Sequence, residues 1–145
     1  MDLTRILAQT ITQSLSVNLR SVEGFAVPVA TDLSFDSTDP YAVTIAFHTS
    51  ATPIVWTFAR DLLAEGMVEP TGDGDVHVWP SLDDEGVAIV TVELCSPDGD
   101  ALVEIRSTDA AAFVDRMHAM VAPGDETAQL DLDGVIAAIR ETESL

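Results

Sequence analysis

The chain has 145 residues, of which 47% are apolar; this supports one domain with a sizeable core and argues against disorder over most of its length. Acidic residues outnumber basic ones 25 to six, every basic residue is Arg, and the formal net charge is -19. That charge repels phosphate, so bulk electrostatics oppose nucleic acid and anionic lipid as partners. The acidity serves solubility, reflects a genome that replaces Lys by Arg, or matches a basic partner. A single cysteine, Cys95, permits no intramolecular disulfide and fits a reducing cytoplasm. The stretch Met1-Asp2-Leu3-Thr4-Arg5 lacks the basic and apolar regions of a signal peptide.

Residues 1–9 fit either an extension of the first strand or a short helix. From Ile11 the apolar residues Leu15, Val17 and Leu19 share one parity, with Gln13 the exception, which predicts a strand over 11–22. A second strand, 26–36, places Val27, Val29, Leu33 and Phe35 on one face. Asp36-Ser37-Thr38-Asp39-Pro40 is a turn. The uncharged run from Pro40 to Ala59 is no membrane span, because Pro40, Pro53, His48 and several hydroxyl residues interrupt it and its apolar residues alternate. Tyr41, Val43, Ile45 and Phe47 point one way. Strands three and four are therefore 41–49 and 53–58, separated at Pro53.

A first helix over about 59–65 turns Leu62 and Leu63 inward, and Gly66 stops it by tolerating the left-handed conformation. Thr71-Gly72-Asp73-Gly74-Asp75 turns the chain into strand five, 76–80, and Ser81 to Gly86 is a polar hairpin loop. Strand six is 87–95. Ser96-Pro97-Asp98-Gly99 is a type I turn into strand seven, 101–106. A second helix starts behind Ser107 or Thr108 as its cap. Phe113, Met117, Met120 and Val121 make one apolar stripe along it. This stripe suits either an oligomer core or packing on the chain's own sheet. Pro123-Gly124 ends the helix. Residues 124–130 are a polar connection, and Asp131 or Asp133 caps a last helix with Leu132, Val135, Ile136 and Ile139 inward. Strands, helix, strands, helix, helix is an α+β order with antiparallel strands.

Several phrases carry a family resemblance across about residues 10–140. They are Asp39-Pro40-Tyr41-Ala42-Val43, Phe47-His48-Thr49, Trp56-Thr57-Phe58-Ala59-Arg60-Asp61-Leu62-Leu63, Glu65-Gly66, Pro70-Thr71-Gly72, Gly74-Asp75-Val76 and Val78-Trp79-Pro80-Ser81. Fainter echoes follow at Leu94, Ser96-Pro97 with Gly99 and Ala101, Phe113, Pro123-Gly124 and Asp131-Leu132-Asp133. The chain resembles the SsgA-like sporulation and cell-division regulators of filamentous actinobacteria, and the 39–81 block leans toward the SsgB-like branch. The resemblance implies a Whirly-type single-strand-binder fold, with two antiparallel sheets and helices gathered at one end, assembled as a trimer. Its signature residues, Asp39, Pro40, Tyr41, Trp56, Phe58, Arg60, Asp61, Leu62, Leu63, Gly72, Trp79 and Pro80, are expected mainly to define the fold.

No constellation for catalysis emerges. His48, His77 and His118 have no second ligand at metal spacing, and there is no HExxH or CxxC. Cys95 suits a small buried filler. A pairing with His48 or His77 depends on the fold bringing them together, and an activated thiol needs positive surroundings that this chain hardly offers. The acidic turns do not complete a calcium loop: after Asp73 the glycine position is Val78 and the bidentate position Asp84, and after Asp131 the glycine position is Ile136. No phosphate-cradling motif or nucleophile elbow is present. Tyr41, Phe47, Trp56, Phe58 and Trp79 could stack bases or fill a core; the scattered arginines, with no basic groove, favour the core. Arg60-Asp61 is expected to form a local ion pair or a helix-start contact.

These readings converge on a non-enzymatic protein-interaction module without cofactor or metal. The resemblance implies a role in sporulation-linked division, since family members help place the tubulin-like GTPase FtsZ at sporulation septa. The expected partners are FtsZ or another divisome protein and further copies of the chain, with no nucleic acid and no direct membrane insertion. The expected location is cytoplasmic, at septa through partners. The alternatives are a single-stranded nucleic-acid binder and a peptidoglycan-remodelling accessory factor. The 70–75 turn and the 81–86 loop form a first candidate contact rim, because loops on a rigid scaffold carry recognition.

Overall fold

A computed structural model describes residues 9–20 and 24–143. The alternatives for the first residues, and the end of the first predicted strand, fall largely outside them. The strands are β1 (Thr10–Arg20), β2 (Ala26–Asp36), β3 (Ala42–Phe47), β4 (Ile54–Ala59), β5 (Thr71–Asp73), β6 (Val76–Leu82), β7 (Ala88–Ser96) and β8 (Gly99–Arg106). The helices are α1 (Arg60–Gly66), α2 (Ser107–Met120) and α3 (Glu126–Glu143). The α+β class and the antiparallel pairing stand.

Two separate sheets were expected, and the structure has one, in the order β4-β3-β2-β1-β8-β7-β6-β5. The difference has a simple origin. Two antiparallel meanders, β1 to β4 and β5 to β8, are each built from sequence-adjacent hairpins. Among the described residues, their strands pair where Asn18, Leu19 and Arg20 of β1 face Glu104, Val103 and Leu102 of β8. By contrast, β1 and β2 pair along their whole length, from Thr10↔Asp36 to Arg20↔Ala26. The sheet curls about this short joint, so that both halves contribute to one core.

Strict alternation decides which side chains enter that core. Leu33 and Phe35 of β2 and Val43 and Ile45 of β3 meet Val78, Val92, Val103 and Ile105 from the other half, all almost wholly buried. Leu63 of α1 and Phe113 and Met117 of α2 close it from the helical side. Each such burial contributes roughly 1.5–3 kcal/mol relative to exposure. Gln13, the parity exception in β1, faces the same way, and its Nε2 donates to the Asp109 carbonyl of α2 at 3.0 Å. That bond satisfies an amide that would otherwise be costly against the core.

Three helix details differ from the sequence reading. Gly66 is the last residue of α1, and its backbone is not left-handed; Gly24, Gly74, Gly86, Gly99 and Gly124 are the glycines with positive φ. Glycine is needed at 66 because a Cβ there would lie 2.2 Å from Val78 Cγ1. Ser107 is the first helical residue of α2 rather than a cap, and no side chain caps that end. The 124–130 segment is mostly helix: α3 begins at Glu126, and Asp131 and Asp133 lie inside it. Leu132, Val135 and Ile139, expected to point inward, are 48%, 56% and 44% exposed.

Candidate interaction surface

The element that sets the helices against the sheet is Arg60. The Tyr41 carbonyl accepts its backbone N–H at 2.8 Å, which fixes the start of α1 beside β3. Its side chain is 1% exposed and crosses to the far end of the chain. Nη2 and Nε donate to Glu126 Oε1 at 2.6 and 3.2 Å, while Nη1 donates to the Val121 carbonyl at 2.8 Å and Nη2 to the Ala122 carbonyl at 3.2 Å. The guanidinium lies over the Phe35 ring, 5.5 Å from its centroid. One Arg therefore satisfies the carbonyls that follow α2 and anchors the first turn of α3.

Glu126 completes the arrangement. Its Oε2 accepts the Gly124 N–H at 2.9 Å, which makes use of the Pro123-Gly124 turn and the φ of +91° at Gly124. Arg60 and the local backbone N–H groups hold the Glu126 carboxyl below its ordinary range. Arg60 thus pairs with Glu126 in place of an ion pair with Asp61, while both residues sit at the start of α1, with Asp61 exposed in its first turn. The Tyr41 hydroxyl adds a second tie to α3 through Thr127 Oγ1.

The remaining signature residues divide between core and surface. Pro40, Phe58, Leu62 and Leu63 are buried, whereas Asp39, Tyr41, Gly72 and Pro80 are exposed. Trp56 is half-buried against the inner face with Ile45 as its cross-strand neighbour, while Trp79 pairs with Thr91 on the outer face. With Phe47 and Phe58 buried, the five aromatic residues do not form a common stacking platform. Of the predicted stripe on α2, Phe113, Met117 and Val121 are buried in the single chain and Met120 is half-buried.

Among the described residues, three surfaces offer places for a contact. The first is the apolar side of α3, where Leu132, Val135 and Ile139 recur at helical spacing and are 44–56% exposed. The second lies around the loop between β6 and β7. Arg20 binds Glu104 Oε2 at 3.0 Å and Asp84 Oδ2 at 3.2 Å there, tying the loop to the joint of the sheet. Asp83 Oδ1 accepts the Glu85 and Val87 N–H groups, so this part of the predicted rim is ordered by its own bonds. The third is an apolar hollow of about 160 Å³ at the end of the sheet away from α1 and α2, lined by Leu19, Phe47, Ile54, Trp56, Leu94 and Ala101 among others.

The titratable groups make structural pairs. His48 Nε2 lies 2.9 Å from Asp32 Oδ2, and Ser14 Oγ donates to Asp32 Oδ1 at 2.7 Å. Ser14 first and His48 second hold that carboxyl low. His77 and Cys95, far apart in sequence, do meet on the outer face beside Glu93. Loss of water, then the carboxylates of Asp100 and Glu93, push the Cys95 thiol up, the reverse of what nucleophilic activation needs. No motif or spacing in the sequence marks Glu126 as Arg60's partner. Its only local signal is an acidic residue just after Pro-Gly, the usual place for a helix first turn.

Residues 29–126 match the family described as SsgA, Streptomyces sporulation and cell division protein. The chain is 44% identical over 131 residues to sporulation-specific cell division protein SsgB of Streptomyces coelicolor, covering 90% of this chain and 95% of that protein. It is 42% identical over 131 residues to the Frankia casuarinae protein of the same name, covering 90% and 91%. A solved structure concerned with SsgB mutations and longitudinal cell division during sporulation of S. coelicolor superposes with a TM-score of 0.79 at 42% identity, covering 85% of this chain and 97% of that one. The crystal structure of an SsgA-like sporulation-specific cell division protein from Thermobifida fusca gives a TM-score of 0.83 at 34% identity, covering 91% and 96%. With residues 29–126 matching the family and the solved relatives sharing the fold, this chain belongs to the SsgA family of sporulation and cell-division proteins.

Proposed function

We propose that this protein is a non-enzymatic regulator of sporulation-specific cell division, which helps to position FtsZ and the septum through protein–protein contacts. The observation that carries the reading is the 44% identity to S. coelicolor SsgB over nearly the whole of both chains. The arrangement of side chains fits it, because the buried charges serve to fix helices rather than to hold a substrate. Among the described residues no helix is long and apolar enough to cross a membrane, and the proposed place of action is cytoplasmic, at septa reached through partners.

The proposed assembly is a trimer of Whirly-like subunits. Met120 and the apolar side of α3 are the parts of the helical layer that the single chain leaves for such a contact. Three identical surfaces would turn weak single contacts with polymerising FtsZ into tight attachment. The signature residues act mainly through the fold, and the rim of the 70–75 turn and the 81–86 loop presents the contact surface.

Light scattering tests both parts. A mass of three chains, and a shift of FtsZ into larger assemblies with GTP present, are the expected results. A monomer that leaves FtsZ assemblies unchanged would sink the direct-contact mechanism.

A further inference from the structure

We infer that His77, Glu93 and Cys95 form a zinc-binding site on the outer face of the sheet. His77 of β6 and Glu93 of β7 are direct cross-strand partners, and Cys95 follows two residues later on the same face. One nitrogen, one sulfur and one oxygen ligand atom lie within 4.8 Å of one another. Asp100 of β8, the cross-strand partner of Cys95, brings a further carboxylate against the thiol.

The distances suit an ion. His77 Nδ1 and Glu93 Oε1 are 3.3 Å apart, slightly long for an N–H···O bond. Two ligands on a tetrahedral zinc, with metal–ligand bonds of about 2.1 Å, are separated by about 3.4 Å. Sulfur and a nitrogen or oxygen ligand on tetrahedral zinc are about 3.6 Å apart, so from a separation within 4.8 Å the sulfur needs a shift of at most about 1.2 Å, within reach of side-chain rotation at half-exposed positions. All three side chains stand on paired strands, which hold them better than a loop does. His77 also has a prepared seat: its ring lies over Gly72, where a Cβ would come within 2.2 Å of Cδ2. A mixed imidazole, thiolate and carboxylate set favours zinc over magnesium or calcium, which prefer all-oxygen sites. Binding would displace the thiol proton and place a dication among acidic groups that otherwise repel one another.

The test uses the full chain, reduced and freed of metal, titrated with Zn²⁺ and separately with Co²⁺ in excess Mg²⁺ to occupy unspecific acidic sites. Expected are one equivalent bound, a thiolate-to-cobalt charge-transfer band, and roughly 100-fold weaker binding in Cys95→Ser and in His77→Ala. Asp98→Asn, on the neighbouring turn, is expected to bind as the parent does. A missing charge-transfer band, or Cys95→Ser binding within about twofold of the parent, overturns the site. Alkylation of Cys95 in the unaltered protein provides a second reading that no folding defect can obscure. Saturating Zn²⁺ should slow it at least about tenfold, and an unchanged rate also overturns the site.

Discussion

Arg60 and Glu126 lie 66 residues apart in sequence and 2.6 Å apart in space, both buried, and together they join the first turns of α1 and α3. Removing either partner leaves the other charge uncompensated. Arg60→Met and Glu126→Gln are each expected to lose about 3–5 kcal/mol in urea unfolding. The double variant should lose less than the sum of the two, because the orphaned charge disappears with its partner. Additive losses would show that the pair is not coupled.

The same carboxylate sets a pH dependence. Its folded-state value is depressed below the usual 4.5, by Arg60 first and by local backbone N–H groups second. Its contribution is therefore fully present above the unfolded value and is lost as pH falls through the folded one. The stability gap between the parent and Glu126→Gln should be constant from pH 7 to about pH 5.5 and shrink below about pH 4.5. Denaturant midpoints across that range check the sign; a gap that widens on acidification would refute it.

Gly66→Ala tests close packing rather than backbone freedom. The added methyl would overlap Val78, whose own backbone carbon lies 3.1 Å from the new atom. Overpacking of this kind costs typically about 1–3 kcal/mol. A left-handed stop would give a comparable loss, so the discriminating variant is Gly66→Ala with Val78→Ala. It should recover part of the loss if contact is the cause, and none if conformation is.

The apolar side of α3 separates assembly from folding. Leu132→Glu, Val135→Glu and Ile139→Glu alter positions that are 44–56% exposed in one chain. Each should change unfolding free energy by no more than about 0.5 kcal/mol. Each should lower the mass seen by light scattering if this side is a contact between copies or with a partner. An unchanged mass in all three would remove α3 from the proposed interface.

Much of the strand framework is legible because alternation is a local signal: Val43, Ile45 and Phe47 are core residues for the same reason that they alternate. Leu62 and Leu63 could be placed inward from the same kind of pattern. What local pattern cannot encode is pairing at a distance. Arg60 has an acidic neighbour at Asp61 and uses Glu126 instead. His77 and Cys95 meet through a register that no spacing announces. The start of α3 was hidden by its polar first turns, and its stripe reveals an apolar side without telling what covers it. The count of sheets also depended on three residue pairs, Asn18–Glu104, Leu19–Val103 and Arg20–Leu102.

That short joint has a kinetic meaning. Each meander is made of neighbouring hairpins, whereas closing the sheet brings together Arg20 and Glu104, 84 residues apart. The loop entropy of that closure must be met before the common core can reward it. Refolding speed is thus expected to depend on one narrow contact between two locally assembled halves. Loosening it, as in Val103→Ala, should slow refolding in stopped-flow measurements more than an equally destabilising change within either meander.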